Sequence, residues 1–120
     1  MNPVGWFEIA VEDMERAIAF YEKTFQMSLK RHDMDGTDMA WFPVEEGAAY
    51  GATGTLIACE GAVPGASAIT IYLSVEDIDD VLARLPEAAI LHPKTSIGEF
   101  GIYAHIQDSE GNRIGIHSHG

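Results

Sequence analysis

Two stretches of the chain repeat one pattern of apolar positions at an offset of 64 residues. Each copy follows the triplet Val-Glu-Asp, which stands at 11–13 and again at 75–77. After each triplet, apolar side chains recur with the i, i+3, i+4, i+7 spacing of a single helix face. They lie at Met14, Ala17, Ile18 and Tyr21 in the first copy and at Ile78, Val81, Leu82 and Leu85 in the second. Because the aspartate of each triplet stands where an N-cap belongs, the sequence predicts two equivalent amphipathic helices.

Strand patterns surround each predicted helix in the same order. One strand comes before each helix, at 6–11 and at 68–75, and three more follow. The later strands are 27–33, 39–44 and 53–59 in the first half and 89–95, 102–107 and 113–118 in the second. Segment 108–112, with its Asp, Ser, Gly and Asn, is typical of a hairpin turn. We therefore expect an α+β domain over 1–120, in which two βαβββ modules, about 1–60 and about 66–120, curve a mixed sheet around a cavity.

The charge of the chain narrows the classes of partner. Nineteen acidic residues against seven basic ones give a formal net charge of −12, which disfavours binding to nucleic acid. The same charge favours a cationic ligand or simply keeps the chain in solution. We expect a cytoplasmic protein without membrane contact, because no signal peptide or membrane-spanning apolar run is found. The single cysteine, Cys59, cannot form an intrachain disulfide and fits a reducing compartment.

Two segments resemble the signatures of a known superfamily. They are 9–23 (IAVEDMERAIAFYEK) and 108–117 (DSEGNRIGIH), and they resemble the vicinal-oxygen-chelate superfamily, which includes glyoxalase I and bleomycin-resistance proteins. Segment 93–118 is similar to a bacterial branch described as glyoxalase-like or bleomycin-resistance-like. The resemblance covers essentially the whole chain and implies the fold given above, as well as a homodimer with pockets completed across its interface. It does not imply one reaction, since this superfamily hosts isomerases, dioxygenases, epimerases, thiol transferases and drug-sequestering proteins.

The resemblance also implies where a metal would be held. Glyoxalase I enzymes bind a divalent ion through one His or Gln and one Glu from each module. The corresponding positions in this chain are Trp6, Thr70, Gly115 and a place near 55–58 that has no acid or histidine. Trp and Gly have no lone pair to donate to a metal, so we expect neither the usual metal site nor a cofactor. A divalent metal on a different ligand set, including His105 or His117, stays open.

Strand alternation sorts the side chains that should line the cavity. The candidate ligand-binding residues are Trp6, Thr70, Tyr72, Tyr103 and Glu99, the last from a loop bracketed by glycines. They combine aromatic walls with a few polar groups, as small-molecule pockets do. Alternation also turns Phe7, Ile9, Ile69, Ile71 and Leu73 towards the core.

Three residues are candidates for acid–base catalysis, namely Glu8, His105 and His117. Glu8 interrupts an apolar strand and is either a general base, a ligand anchor, or a member of a buried polar network with His105, His117 or Arg113. The two histidines ordinarily titrate near neutral pH, which suits proton transfer, although strand histidines often only bond to their neighbours.

Three functions are compatible with these residues. The first is a small-molecule-binding protein without the usual metal ligands, of the glyoxalase or bleomycin-resistance type. The alternative is an enzyme of the lyase, isomerase or dioxygenase type that uses a non-standard or metal-free acid–base site around Glu8, His105 and His117. The third is a structural or interaction domain, which the polar lining disfavours.

Overall fold

The order strand, helix and three strands occurs twice in the chain, as the repeat predicts. The computed structural model describes residues 3–45, 51–65 and 67–119. The elements of the first half are β1 (Phe7–Ala10), α1 (Met14–Phe25), β2 (Lys30–Met34), β3 (Thr37–Trp41) and β4 (Gly54–Ala58). Those of the second half are β5 (Tyr72–Ser74), α2 (Ile78–Ala83), β6 (Ile90–Ser96), β7 (Ile102–Gln107) and β8 (Arg113–Ser118). Short 3-10 turns at Glu87–Ala89 and Gly98–Phe100 flank β6.

Each half builds its own four-stranded mixed sheet. The strand orders are β1-β4-β3-β2 and β5-β8-β7-β6, so the first and last strands of each half are neighbours. These neighbours run parallel and the other pairs run antiparallel. Glu8 lies opposite Thr55 in the first sheet, and Tyr72 lies opposite Gly115 in the second. Side chains from the two ends of each half therefore meet on one face of its sheet.

Capping aspartates begin both helices as expected. The Asp13 carboxylate accepts a 3.1 Å hydrogen bond from the Arg16 backbone N–H, and Asp77 accepts one of 2.9 Å from Asp79. The second helix is shorter than its apolar pattern predicts and ends at Ala83, before Pro86 interrupts the chain. None of the described helices is long and apolar enough to cross a membrane.

The helices and the helix-facing sides of both sheets share one hydrophobic core. Helix α1 packs on β3 and β4, and α2 packs on β7 and β8. Fully buried core residues include Ala17, Tyr21 and Leu56 from the first half and Ile106 and Ile116 from the second. The opposite face of each sheet is open, and we call these the first and second open faces.

The turn at 108–112 in the second half fastens the start of α1 in the first half. Glu110 accepts hydrogen bonds from the backbone N–H groups of Glu12 and Asp13 at 3.0 and 2.9 Å. Its other oxygen accepts a 2.7 Å bond from the Arg16 guanidinium. The Tyr21 hydroxyl donates a 2.7 Å bond to Asp108 in the buried interior. The two halves are thus joined by charge-assisted hydrogen bonds as well as by apolar packing.

The first strand of the second half is shorter than expected. The pattern predicts a strand over 68–75, but β5 spans only Tyr72–Ser74. In the parallel register, Ile69 would lie opposite Asn112, before β8 begins, so no strand is there to pair with it. The expectation that Ile69 faces the core is therefore wrong, since Ile69 is 73% exposed.

Candidate functional site

The second open face contains a pocket of about 490 Å³. Residues of β5, β7 and β8 and of the turn after β6 line it: Tyr72, Ser74, Ile97, Tyr103, His105 and His117. Four of these six, Tyr72, Tyr103, His105 and His117, are candidate site residues of the sequence analysis. The structure thus brings two of the candidate catalytic residues and two of the candidate ligand-binding residues into one place.

The wall formed by Tyr72 depends on the glycine beside it. Tyr72 lies directly opposite Gly115 across the β5–β8 pair. A Cβ atom at position 115 would overlap the ring atoms Cδ1 and Cε1 of Tyr72. Because glycine has no Cβ, the phenol ring can rest directly on the backbone of β8. The ring therefore fills the space where any side chain at 115 would project.

His105 lies between a phenol and a guanidinium. Its Nε2 is 2.7 Å from the Tyr72 hydroxyl, and its Nδ1 is 2.7 Å from Nη2 and 3.2 Å from Nε of Arg113. A guanidinium can only donate hydrogen bonds, so Nδ1 is the acceptor and neutral His105 carries its proton on Nε2. Partial burial, Arg113 and His92 each lower the pKa of His105 below its usual 6.5. His105 is therefore a neutral imidazole at pH 7.

A second histidine, His92, packs against Tyr103. The rings of His92 and Tyr103 are stacked with centroids 5.3 Å apart, and the Tyr103 hydroxyl is 3.1 Å from Nε2 of His92. Thr95 Oγ1 is 3.2 Å from the same nitrogen. Sequence reasoning missed His92, because the β6–β7 register shifts on both sides of it and simple alternation does not apply.

His117 fixes the turn that borders the pocket. Its Nε2 lies 2.6 Å from the Phe100 carbonyl oxygen, which can only accept, so this nitrogen carries a proton. Gly101, at φ +110°, lets the turn approach β8, since a Cβ there would overlap the Ser118 carbonyl oxygen. Glu99 lies in this turn, is exposed, and is not among the residues that line the pocket.

The remaining candidates lie elsewhere. Trp6 and Glu8 belong to the first open face, where Trp6 packs edge-on against Trp41 with centroids 5.4 Å apart. Within the described part of the chain, the Glu8 side chain is exposed and makes no hydrogen bond or ion pair. The predicted cluster of Glu8 with His105 and His117 is therefore not formed within one chain, and an exposed carboxylate needs no buried partner. Thr70 is half-buried just before β5, outside the pocket lining.

Two of the positions at which the resemblance implies metal ligands are occupied by packed aromatic rings. Trp6 packs against a second indole, and the Tyr72 ring fills the space above Gly115. Among residues 3–45, 51–65 and 67–119, no group of three or more His, Cys, Asp or Glu side chains could hold a metal. The side chains that line the pocket supply phenols and imidazoles, and the Arg113 guanidinium is bonded to one of these imidazoles.

The fold and the pocket define a protein of two βαβββ modules with a small-molecule-sized site on an open sheet face. The chain belongs to the Glyoxalase/Bleomycin resistance protein/Dioxygenase superfamily, whose family model matches residues 4–116. No curated protein matches the chain.

Solved structures share this fold over the whole chain. TnmS3, an antibiotic binding protein from Streptomyces sp. CB03234, is 23% identical with a TM-score of 0.70, and the match covers 100% of this chain and 98% of that one. A glyoxylase/bleomycin resistance protein/dioxygenase domain from Frankia sp. EAN1pec is 17% identical with a TM-score of 0.72, covering 100% and 99%. The V278E mutant of glyoxalase I from Zea mays is 20% identical with a TM-score of 0.70, covering 98% of this chain and 46% of that one.

Proposed function

We propose that the protein binds an aromatic small molecule in the pocket of the second open face, as a sequestering or carrier protein. The contact of Tyr72 with Gly115 carries this proposal, because it builds an aromatic wall directly on the strand backbone. Tyr103 continues the wall, with its ring centroid 6.4 Å from that of Tyr72. Aromatic side chains bury large areas on binding and favour stacked or edge-on contact with another ring.

The size and composition of the pocket support a ligand of moderate size. Its volume of about 490 Å³ lies within the roughly 300–1,000 Å³ of typical small-molecule sites. Ser74 and His105 add polar groups that can orient a ligand on the aromatic wall. The description of TnmS3 as an antibiotic binding protein also supports ligand capture as one use of this fold.

Occlusion of the pocket tests this function directly. We expect Gly115→Val to displace the Tyr72 ring and to abolish binding of aromatic ligands found in a thermal-shift screen. Gly5→Val is the matched control, because a Cβ at position 5 meets no atom within 4 Å. Calorimetric titration of the same ligands against both variants gives the affinities. Unchanged affinity in a folded Gly115→Val protein would place the ligand elsewhere and overturn the proposal.

We propose that binding needs no metal. The Tyr72 ring above Gly115 supports this, because a ligating side chain could not project from position 115 without moving the ring. Metal content by mass spectrometry, on protein purified without a nickel column or chelator, should be far below one ion per chain. Added divalent ions should leave the melting temperature unchanged. A stoichiometric metal that returns after removal would overturn this part.

We also propose a homodimer in which the first open face of one subunit covers the pocket of the other. Trp6 on the first face is 41% exposed and Tyr72 on the second is 48% exposed, which supports burial of both in an interface. Charge supports the same pairing, because Glu8 lies on the first face and Arg113 on the second. In sedimentation velocity, Trp6→Ser should weaken the dimer, whereas Val63→Ser, at an exposed position between the modules, should not. A monomeric wild-type protein would refute the pairing.

The bond between His105 and Tyr72 favours a second candidate function, acid–base catalysis of the lyase or isomerase type. The Tyr72 oxygen accepts a 2.7 Å hydrogen bond from Nε2 of His105, so the hydroxyl keeps its own proton available for transfer to a substrate. The absence of any hydrogen bond from Glu8 to His105 or His117 among the described residues argues against the three acting together in one chain. Turnover that is lost in Tyr72→Phe while ligand binding persists would favour the enzyme over the binding protein.

A further inference from the structure

We infer that Arg113 is a positioning residue that fixes the tautomer of His105. The hydroxyl of Tyr72 is thereby left as a hydrogen-bond donor to the ligand. The pocket is therefore selective for an aromatic molecule with an anionic or strongly accepting oxygen. This inference rests on the proposed function and names the class of ligand for the same pocket. It concerns three side chains on three adjacent strands, β5, β7 and β8.

The direction of the hydrogen bonds follows from the chemistry of the three groups. Arg113 has five N–H donors and no acceptor, so the 2.7 Å contact of its Nη2 with Nδ1 of His105 runs from arginine to histidine. The remaining imidazole proton is then on Nε2, 2.7 Å from the Tyr72 oxygen. His105 therefore donates to Tyr72, and the hydrogen of the Tyr72 hydroxyl must find another acceptor.

No protein group meets that hydrogen within the described ranges. The one hydrogen bond of the Tyr72 hydroxyl to a described residue is the bond to His105. Tyr72 is half-exposed at the pocket wall, so in the unbound protein the hydroxyl can donate to water. In the bound protein, an acceptor atom of the ligand would take the place of that water.

The charges around His105 keep this arrangement in place. Protonation of His105 at Nδ1 would place a new N–H against the N–H groups of Arg113, and these groups repel each other. Partial burial of the ring disfavours its charged form as well. Besides Arg113, His105 faces Tyr103 on its own strand, His92 on β6 and Tyr72 on β5, none of which carries a carboxylate. Nothing in this set would stabilise a charged His105.

The residues that line the pocket favour a ligand with a hydrogen-bond acceptor over a cationic ligand. None of the six residues that line the pocket is acidic, although the chain as a whole has a net charge of −12. A cation in the pocket would find phenol faces but no carboxylate among the lining residues of the same subunit, and the Arg113 guanidinium bonded to His105 would repel it. At physiological salt, charges beyond about 8 Å are largely screened, so the acids outside the pocket have little effect on a bound ligand. The hydrogen-bond donors in the pocket therefore determine which class of ligand binds.

The tautomer can be measured without any ligand. Long-range ¹H–¹⁵N correlation spectra of the His105 ring should show an acceptor-type Nδ1 and a protonated Nε2. Arg113→Met should abolish this preference, and Arg113→Lys should restore it, because an ammonium also donates to Nδ1. Lys23→Met, which removes the same charge from an exposed position on α1, should leave the His105 signals unchanged. A protonated Nδ1 in the wild type would overturn the role of Arg113.

Two probes of one shape test the class of ligand. We expect 2-naphthoate to bind at least about tenfold more tightly than 2-naphthylmethylammonium, as a charge-assisted hydrogen bond predicts. Tyr72→Phe keeps the ring over Gly115 and should remove that preference by weakening naphthoate alone. Equal or tighter binding of the ammonium, with pocket resonances shifting, would overturn the ligand class and leave the proposed function intact. Binding of neither probe to the folded protein would count against both.

Discussion

Glu110 joins the two halves of the chain, and its ionisation should control how stability depends on pH. Arg16 is the main cause that holds the pKa of the Glu110 carboxyl at about 2, with smaller contributions from the Asp13 and Glu12 N–H groups and the Ser109 hydroxyl. The usual value is 4.5. At 1.36 kcal/mol for each unit, this difference stabilises the folded state by roughly 3 kcal/mol at neutral pH. Because the folded pKa is the lower one, the stabilisation is complete above the unfolded pKa and is lost as the pH falls from 4.5 towards 2.

The variant Glu110→Gln isolates this effect. The amide keeps the shape of the side chain and one acceptor oxygen, but it cannot pair with the Arg16 guanidinium. We expect it to lower the free energy of unfolding by roughly 2–3 kcal/mol at pH 7. Near pH 2, where the wild-type carboxyl is about half protonated in the folded state and fully protonated in the unfolded state, the two proteins should differ by less than about 1 kcal/mol.

Urea unfolding at a series of pH values measures both proteins. The matched control is Glu87→Gln, which removes one charge from an exposed 3-10 turn and makes no side-chain hydrogen bond to a described residue. This control accounts for the reduced charge repulsion that follows from the loss of any one acid in a chain of net charge −12. A difference between Glu110→Gln and wild type that stays constant from pH 7 to pH 2 would refute the reasoning.

Three further results are expected. Tyr21→Phe removes the buried 2.7 Å bond to Asp108 and should cost roughly 1.5–3 kcal/mol in thermal or urea unfolding, so an unchanged melting temperature would contradict the assigned bond. Glu8→Gln should leave the unfolding free energy of the isolated subunit within about 0.5 kcal/mol of wild type, because the carboxylate is exposed in its own chain; a larger loss at concentrations where the protein is monomeric would reveal a partner within the chain. Raising the salt concentration above the physiological range should leave the affinity for 2-naphthoate nearly unchanged, because distant charges are already screened there; a large increase in affinity would mean that the net charge of −12 acts on the pocket.

The helices and the open faces could be predicted because local patterns determine them. The 64-residue repeat located both helices and their aspartate caps, and alternation turned Tyr103 and His105 to the correct side of β7. The contact of Arg113 with His105 could also have been predicted from the sequence, because the turn at 108–112 fixes the register between β7 and β8. In this register Arg113 lies two residues from Gly115, the partner of His105, and on the same face of the sheet.

Other parts of the site depend on information that no local pattern holds. The bulges in β6 turn His92 towards Tyr103 against simple alternation. Trp6 and Glu8 lie on the correct face of their own strand, yet alternation cannot tell whether the faces of two modules enclose one cavity or point apart. The shared core on the helix side decides that question, because it leaves the two faces separately open.

Because the hydrophobic core lies on the helix side of the sheets, the residues that stabilise the fold are different from those that contact a ligand. The residues that hold the halves together, such as Leu56, Ile106 and Ile116, are fully buried on the helix side of the sheets, whereas the pocket residues are half-exposed on the other side. Substitutions at surface positions usually change stability by no more than about 0.5 kcal/mol. A lineage with this architecture can therefore exchange the residues that contact its ligand, one at a time, and acquire new specificities while each intermediate still folds.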